Sequence, residues 1–184
     1  MPDAIQHHAP MGLSQIAEEF KLLDDRRRSG GLSLSDAERY HVLFARLDDA
    51  LASNERHRRV DERQFLRVRF DMALHVRSPL GDLLVTCQDF GGGGCSIACP
   101  EVFQLGDELL LNGAMIEGKR HPLRGRAVVA WARLASVETP QGYGLRFAIE
   151  SREMRDQIDR LLYRVLDRFL ADPSPSGRLH ERSH

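Results

Sequence analysis

The sequence has few cysteines, no basic N-terminal stretch and no long hydrophobic run, and each shortage excludes a class of protein. Three cysteines among 184 residues are few and odd in number, which excludes a disulfide framework and fits a reducing cytoplasm. The longest apolar run, Ala127–Ala132, is far shorter than the roughly 20 residues that a membrane-spanning helix needs. The first residues have neither the basic nor the apolar region of a secretory signal. We therefore expect a cytoplasmic protein without membrane insertion.

Lysine is also nearly absent, although basic residues are not. The chain has 26 basic and 27 acidic residues, a formal net charge of −1, and only Lys21 and Lys119 are lysines. A nearly neutral chain gains little from bulk attraction to nucleic acid, so binding to RNA or DNA is not expected. With 42% hydrophobic residues, the chain is long enough to bury a core without a disulfide or a metal.

Two amphipathic helices are predicted before residue 57. Apolar residues repeat at helical spacing over residues 14–28, with Ser14 as the N-cap and a stop at Gly30 and Gly31. Residues 35–38 have capping-box spacing for a second helix, whose apolar positions continue to Leu51. The two helices are predicted to pair as an α-hairpin. Oligomerisation through them is the alternative, although they are short for an independent coiled coil.

From about Asp61 the apolar period changes from helical to two, which is typical of strands with one buried face. Glycine- and proline-containing turns, including Asn112-Gly113, Gly118, Pro122 and Gly125, separate the apolar segments. Strands are predicted at residues 66–76, 83–87, 95–99, 109–111, 126–134 and 143–149. After Ser151 a helical period returns, with one broad apolar face that must be buried. This pattern predicts an antiparallel barrel or sandwich covered by a C-terminal helix.

Six arginines and no lysine lie between Arg56 and Arg69. The planar guanidinium group matches phosphate and the O6/N7 edge of guanine in bidentate fashion. Arg63 and Arg67 form an R-x-x-x-R spacing directly before the first strand, and Arg59 begins the same spacing one step earlier. One strand later, residues 89–94 read Asp-Phe-Gly-Gly-Gly-Gly, whose glycines would let the backbone approach a flat base.

In this order, the two segments resemble the R-x-x-x-R and [D/N]-x-S-x-x-G motifs of PilZ domains. Residues 125–131 and 143–147 are similar to later strands of that family, so the resemblance covers about residues 61–149 and, by extension, the closing helix. It implies a six-stranded antiparallel β-barrel that binds cyclic di-GMP, a bacterial second messenger. The ligand-binding residues that it implies are Arg63, Arg67, Asp89, Gly91 and Gly94, with Arg59 as a further candidate.

Gly91 stands where the family motif has serine, so a hydroxyl that would contact the ligand is missing. One lost hydrogen bond is worth on the order of 1 kcal/mol, which weakens binding without abolishing it. Three alternatives remain open. A degenerate PilZ domain would bind no nucleotide and act as a protein-interaction adaptor. The arginine-rich segment could instead reflect composition alone, or bind nucleic acid without sequence preference and with steep salt dependence.

Other kinds of site have little support in the sequence. Cys95 and Cys99 share a strand face, with Cys87 on the strand before, but no C-x-x-C pair accompanies them, so buried core residues rather than a metal site are expected. The sequence has no Ser-His-Asp order, phosphate-binding loop or His-Glu-x-x-His motif. No enzymatic activity, catalytic residue, metal or cofactor is therefore predicted.

Together these features predict a mainly β protein with flanking helices. Residues 1–57 form the helical hairpin and lead-in. Residues 58–171 form the PilZ-like barrel, together with the arginine-rich segment before its first strand, called the arginine arm, and the C-terminal helix packed on the barrel. Residues 172–184 form a disordered tail. The functional hypothesis is a cyclic di-GMP receptor. Ligand held between arm and barrel would reorient the hairpin toward an unidentified protein partner.

Overall fold

The computed structural model describes residues 11–51, 65–79, 81–136 and 140–171. The chain divides into two compact units, Met1–Asn54 and Glu55–His184. The domain boundary expected at residue 57 and the tail expected at residues 172–184 lie outside the described residues. The described elements, in chain order, are α1 (Leu13–Ser29), α2 (Leu34–Leu51), β1 (Arg67–Ser78), β2 (Gly81–Gly91), β3 (Gly94–Ala98), β4 (Glu108–Ile116), β5 (Lys119–Arg133), β6 (Gly142–Ala148) and α3 (Arg152–Ala171).

The first unit is the expected α-hairpin, and its helices pack through aromatic rings. Phe20 of α1 stacks on Tyr40 of α2 with ring centroids 5.1 Å apart. Arg39 donates two hydrogen bonds of 2.7 Å across the pair to the carboxylate of Glu19. The Tyr40 hydroxyl donates to Asp24 (3.2 Å), and burial, reinforced by the negative charge of Asp24, raises the pKa of Tyr40 to about 12. The two helices are thus joined by packing and by polar contacts.

Both helices begin earlier than their predicted caps. Gly12 is the N-cap of α1, and its backbone N–H donates to the side chain of Gln15 (3.1 Å). At α2 the cap is Ser33 rather than Ser35, because the Ser33 hydroxyl accepts from the N–H of Asp36 and its carbonyl accepts from that of Ala37. A capping residue must satisfy N–H groups that have no partner inside the helix, and Ser33 does so.

The second unit contains the predicted six-stranded barrel. The barrel is closed in the order β1-β2-β3-β6-β5-β4, and every neighbouring pair is antiparallel. Inward-facing side chains alternate with outward-facing ones and are almost wholly buried. They include Val68, Leu74, Phe90, Ile97, Leu109, Leu123 and Leu145. This core holds the outer faces of the strands in a fixed register.

Strands β4 and β5 are longer than predicted and contain residues that the sequence assigned to turns. Gly113 lies inside β4 and Pro122 lies inside β5. Both residues lie where the pairing of these two strands is irregular. Proline is tolerated at such a bulge because no ladder hydrogen bond is lost there. The actual turn is Glu117-Gly118, where both residues have positive φ (49° and 76°), as tight hairpin turns require.

Helix α3 packs on the barrel against β5, β1 and β2. Its buried residues recur at helical spacing from Met154 to Leu166. A Cβ at Gly125 of β5 would collide with Met154, so the glycine permits this close contact. The Gln157 side chain accepts a hydrogen bond of 2.7 Å from the backbone of Arg124. The apolar face predicted after Ser151 is therefore buried against the barrel.

Candidate functional site

Five neighbouring strands place two rows of residues side by side on the outer face of the barrel. Directly paired residues of antiparallel strands share a face, as do residues two apart on one strand. Across β1, β2, β3, β6 and β5, the first row is Arg69, Asp89, Ser96, Gly144 and Trp131. The second row is Arg67, Gly91, Gly94, Arg146 and Val128. These ten residues are called the shelf.

At one edge of the shelf, Asp89 joins two strands. Nη1 of Arg67 donates to Oδ1 of Asp89 at 3.2 Å, and the hydroxyl of Ser96 donates to Oδ2 at 2.6 Å. The side chains of Arg67 and Asp89 are 39% and 25% exposed. A pair this open to water adds little to stability, so its main consequence is to orient the guanidinium. Both groups can still contact a molecule lying on the shelf.

The middle of the shelf has no projecting side chains of its own, because its glycines have no room for one. A Cβ at Gly91 would lie 2.7 Å from the Leu66 carbonyl oxygen and 2.8 Å from Cγ of Arg67. At Gly94 a Cβ would collide with the Leu145 carbonyl, and at Gly144 it would collide with the indole of Trp131. The serine of the family motif would therefore not fit at position 91 without a shift of its neighbours.

The other two glycines of the run are covered by their own chain. A Cβ on Gly92 or Gly93 would lie within 2.9 Å of the Phe65 ring. Arg155 of α3 donates a 2.7 Å hydrogen bond to the Gly92 carbonyl, and its guanidinium lies 5.3 Å from the Phe65 ring centroid. At these two glycines, the Phe65 ring therefore makes the close approach to the backbone that we expected from a ligand base. Phe65 lies between Arg63 and Arg67 in the sequence, so this contact anchors the end of the arginine arm.

The predicted site residues divide into two groups. Arg67, Asp89, Gly91 and Gly94 come together on the shelf. Arg59 and Arg63 lie outside the described residues, so their assignment stays a prediction.

Sequence reasoning missed three residues of the shelf: Ser96, which is buried and orients Asp89, and the more exposed Arg146 and Trp131. Arg146 is exposed, and the Trp131 indole, which lies over Gly144, is 40% exposed. Ser96 had a weak signal, since it follows Asp89 across a short hairpin. Arg146 and Trp131 had none, because only the pairing of β3 with β6, and of β6 with β5, brings them to this face.

The three cysteines are buried and free of disulfides. Burial, together with a hydrogen bond to Cys95, raises the pKa of the Cys87 thiol well above its usual value. Burial likewise raises the pKa of Cys99. In the part of the chain that the structure describes, no three His, Cys, Asp or Glu side chains are grouped as a metal site would require, and no helix there could span a membrane.

Several solved structures resemble this chain. The Bacillus subtilis inhibitor of motility MotI/DgrA aligns with 18% identity and a TM-score of 0.51, covering 66% of this chain and 57% of its own. The PilZ domain of Escherichia coli YcgR with c-di-GMP aligns with 15% identity and a TM-score of 0.45, covering 58% and 93%. A tetrameric PilZ domain of Xanthomonas campestris, self-assembled via a helical bundle, aligns with 19% identity and a TM-score of 0.38, covering 90% and 83%.

At these identities the likeness to MotI supports the fold alone, and this chain corresponds to little more than half of the MotI chain. No curated protein matches the sequence. The family model of the PilZ domain matches residues 61–164, which is more than half of the chain and includes every strand of the barrel. Together with the closed barrel and its Arg67–Asp89 edge, this match establishes that the chain belongs to the PilZ domain family.

Proposed function

We propose that this chain is a receptor for cyclic di-GMP, and that the nucleotide binds on the shelf. The observation that carries the proposal is the Arg67–Asp89–Ser96 edge beside a floor of glycines on an outer barrel face. The two rows carry three arginines, Arg67, Arg69 and Arg146, and one carboxylate, that of Asp89. A cationic surface whose central positions are glycines suits a ligand with two purine bases and two phosphates.

Each part of the shelf has a role in this proposal. The guanidinium of Arg67 pairs with a phosphate or with the O6/N7 edge of guanine. Asp89 accepts from the N–H groups of a guanine, since a carboxylate has about four lone-pair sites and its two hydrogen bonds use only part of that capacity. Gly91 and Gly94 are buried and leave no side chain projecting between Arg67 and Arg146 in the second row. Trp131 offers an exposed indole face at the far end for stacking.

The proposed output is a change in the segment of residues 52–64, which spans the boundary between the two compact units. Arg63 belongs to that segment and, by resemblance to the family, binds the same nucleotide as Arg67. Ligand held by both arginines restricts the path of residues 52–64. The hairpin of α1 and α2 is then presented to a protein partner in a different orientation.

Titration calorimetry with cyclic di-GMP tests the receptor proposal. We expect heat from the wild type, and a loss of affinity of about tenfold or more in Arg67→Ala and in Arg63→Ala, because each removes a charge-assisted pair. Arg152→Ala is the matched control, since Arg152 is exposed in the first turn of α3 and lies off the shelf. Absence of heat from the folded wild type would overturn the proposal.

Intrinsic fluorescence tests the location independently. Trp131 is the only tryptophan of the chain, so its emission reports on one end of the shelf. Nucleotide bound on the shelf is expected to change this emission with the same midpoint as the calorimetric titration. Heat without any change in emission would place the nucleotide elsewhere.

A second candidate function is a PilZ domain that binds no nucleotide and serves as a protein-interaction adaptor. Gly91 favours it, because the motif hydroxyl is missing and the surrounding backbone leaves no room for one. The Arg67–Asp89 pair favours the receptor. The adaptor predicts no heat and no change in fluorescence, so the two measurements separate the candidates.

A further inference from the structure

The barrel unit also has a groove that shares no residue with the shelf. It is a groove of about 600 Å³ between α3 and the start of β5. Arg160, Arg164 and Arg168 line it from the helix, and His121 and Pro122 line it from the strand. The three arginines are four residues apart and therefore follow one side of the helix.

The groove is cationic. Its lining has three guanidinium groups and one carboxylate, that of Asp167. Arg168 forms an ion pair with Glu117 at the β4–β5 turn, and Arg160 donates its Nε hydrogen to the backbone of Asp156 (3.0 Å). Arg160 and Arg164 are both exposed. Burial, followed by the positive charges of Arg164 and Lys119, holds the pKa of His121 below its usual value, which is a second sign of positive potential here.

The spacing of the arginines selects among anionic ligands. Residues four apart on an α-helix are separated by about 6 Å along its axis. Alternate residues of an extended chain are separated by about 6.7 Å and point the same way. Three carboxylates at alternate positions of an extended segment therefore match the row of Arg160, Arg164 and Arg168, with Arg168 exchanging its ion pair with Glu117 for one with the ligand. The side chains between them would face the strand side of the groove, where Pro122 offers an apolar surface.

We propose that this groove is a docking site for an acidic, extended segment of a protein partner, with Asp or Glu at alternate positions. Arg164, at the centre of the row, makes the main contact, and Arg160 and Arg168 set the register. The site needs no nucleotide, so it stands or falls separately from the shelf.

Fluorescence anisotropy on the full chain tests the proposal, with a fluorescein-labelled peptide containing Glu-Val-Glu-Val-Glu as the probe. A peptide of the same composition with its three glutamates contiguous is the charge-matched comparison. The measurement is made at about 0.15 M salt, which screens long-range attraction. Under this condition we expect the alternating peptide to bind more tightly than the peptide with contiguous glutamates. Arg164→Glu and the milder Arg164→Gln are expected to weaken it by about tenfold or more, since each removes a charge-assisted hydrogen bond. Arg152→Glu, on the same helix but outside the groove, is expected to leave it unchanged.

A second readout locates the peptide. Its carboxylates would offset the charge of Arg164, so the pKa of His121, followed by NMR of the ring protons, is expected to rise on binding. Three results would overturn the proposal: no binding of the alternating peptide, equal binding of both peptides with equal loss in Arg152→Glu, or equally tight binding of tripolyphosphate. The last would indicate a site for small polyanions instead.

Discussion

At the scale of single residues, the shelf depends on side chains that are absent. Gly91, Gly94 and Gly144 each lie where a Cβ would meet backbone or an aromatic ring. The glycine at position 91 therefore has a steric explanation, since neighbouring atoms occupy the space that a side chain would need. The departure from the family motif is a packing feature as well as the loss of a hydroxyl.

Restoring the motif serine tests this view. Gly91→Ser should lower the free energy of unfolding by about 1 to 3 kcal/mol, because the new Cβ must displace the Leu66 carbonyl or the Arg67 side chain. It should not tighten binding of cyclic di-GMP. Thermal denaturation and calorimetry measure the two effects. Gly30→Ser is the control, since nothing lies within 4 Å of its Cβ position. Unchanged stability with tighter binding would contradict the steric explanation.

At the scale of elements, α3 does more than cover the barrel. Through Arg155 it holds the turn between β2 and β3 by the Gly92 carbonyl and holds Phe65 by its ring. The N–H of Phe147 on β6 also donates to the carbonyl of Gly93 (3.0 Å). The turn at one edge of the shelf is thus held by contacts from α3, from β6 and from Phe65, two residues before β1.

Removing Arg155 should loosen this turn. Arg155→Ala is expected to lower the free energy of unfolding by about 1 to 3 kcal/mol, the sum of one charge-assisted hydrogen bond and one cation–π contact. Affinity for cyclic di-GMP should fall as well, because Phe65 sets the position of Arg67. Arg155→Lys should recover part of the lost stability and part of the lost affinity. The control Arg152→Ala should change neither quantity. Denaturant unfolding measures the change in stability, and calorimetry measures the change in affinity. An Arg155→Ala variant with wild-type stability and wild-type affinity would show that Arg155 does not hold this turn.

The α-hairpin should weaken in strong alkali through Tyr40. Its pKa is raised from 10.0 to about 12, chiefly by burial, so the folded state favours the protonated phenol. That stabilisation is complete below pH 10 and is lost as the pH rises toward 12. Tyr40→Phe lacks the titration, so the stability of the wild type relative to Tyr40→Phe should fall over this range. Thermal unfolding followed by circular dichroism measures it. A difference that does not change with pH would contradict the assignment.

At the scale of the whole molecule, an arginine-rich segment begins directly after the boundary between the two compact units, Asn54 and Glu55. If nucleotide on the shelf restricts this segment, trypsin should cleave between Arg56 and Arg63 more slowly at saturating cyclic di-GMP. Arg67→Ala at the same nucleotide concentration should be cleaved faster than the liganded wild type, because less of the variant is bound. If the protein gives calorimetric heat but is cleaved at equal rates with and without nucleotide, the receptor proposal stands. The proposed restriction of residues 52–64 is then wrong.

Much of the architecture could be predicted because its signals are local. The helical period of α1, α2 and α3 and the alternation in β1 require only neighbouring residues to be read. The bounds of β4 and β5 could not be predicted, because Gly113 and Pro122 are acceptable inside a strand only where the partner strand has a matching irregularity. The same distinction applies to the site. Arg67 and Asp89 were found as parts of local motifs, whereas Arg146 and Trp131 were not.

By itself, the sequence determined the order of the elements, the barrel class and one edge of the shelf, since these follow from periodicity and from two short motifs. Only the tertiary structure decided which residues share that face. The pairing of β3 with β6 and of β6 with β5 joins Ser96 to Trp131 across Gly144. It also decided that Phe65, rather than a ligand, covers Gly92 and Gly93. Contacts between residues far apart in the chain depend on register and closure, which no local pattern records.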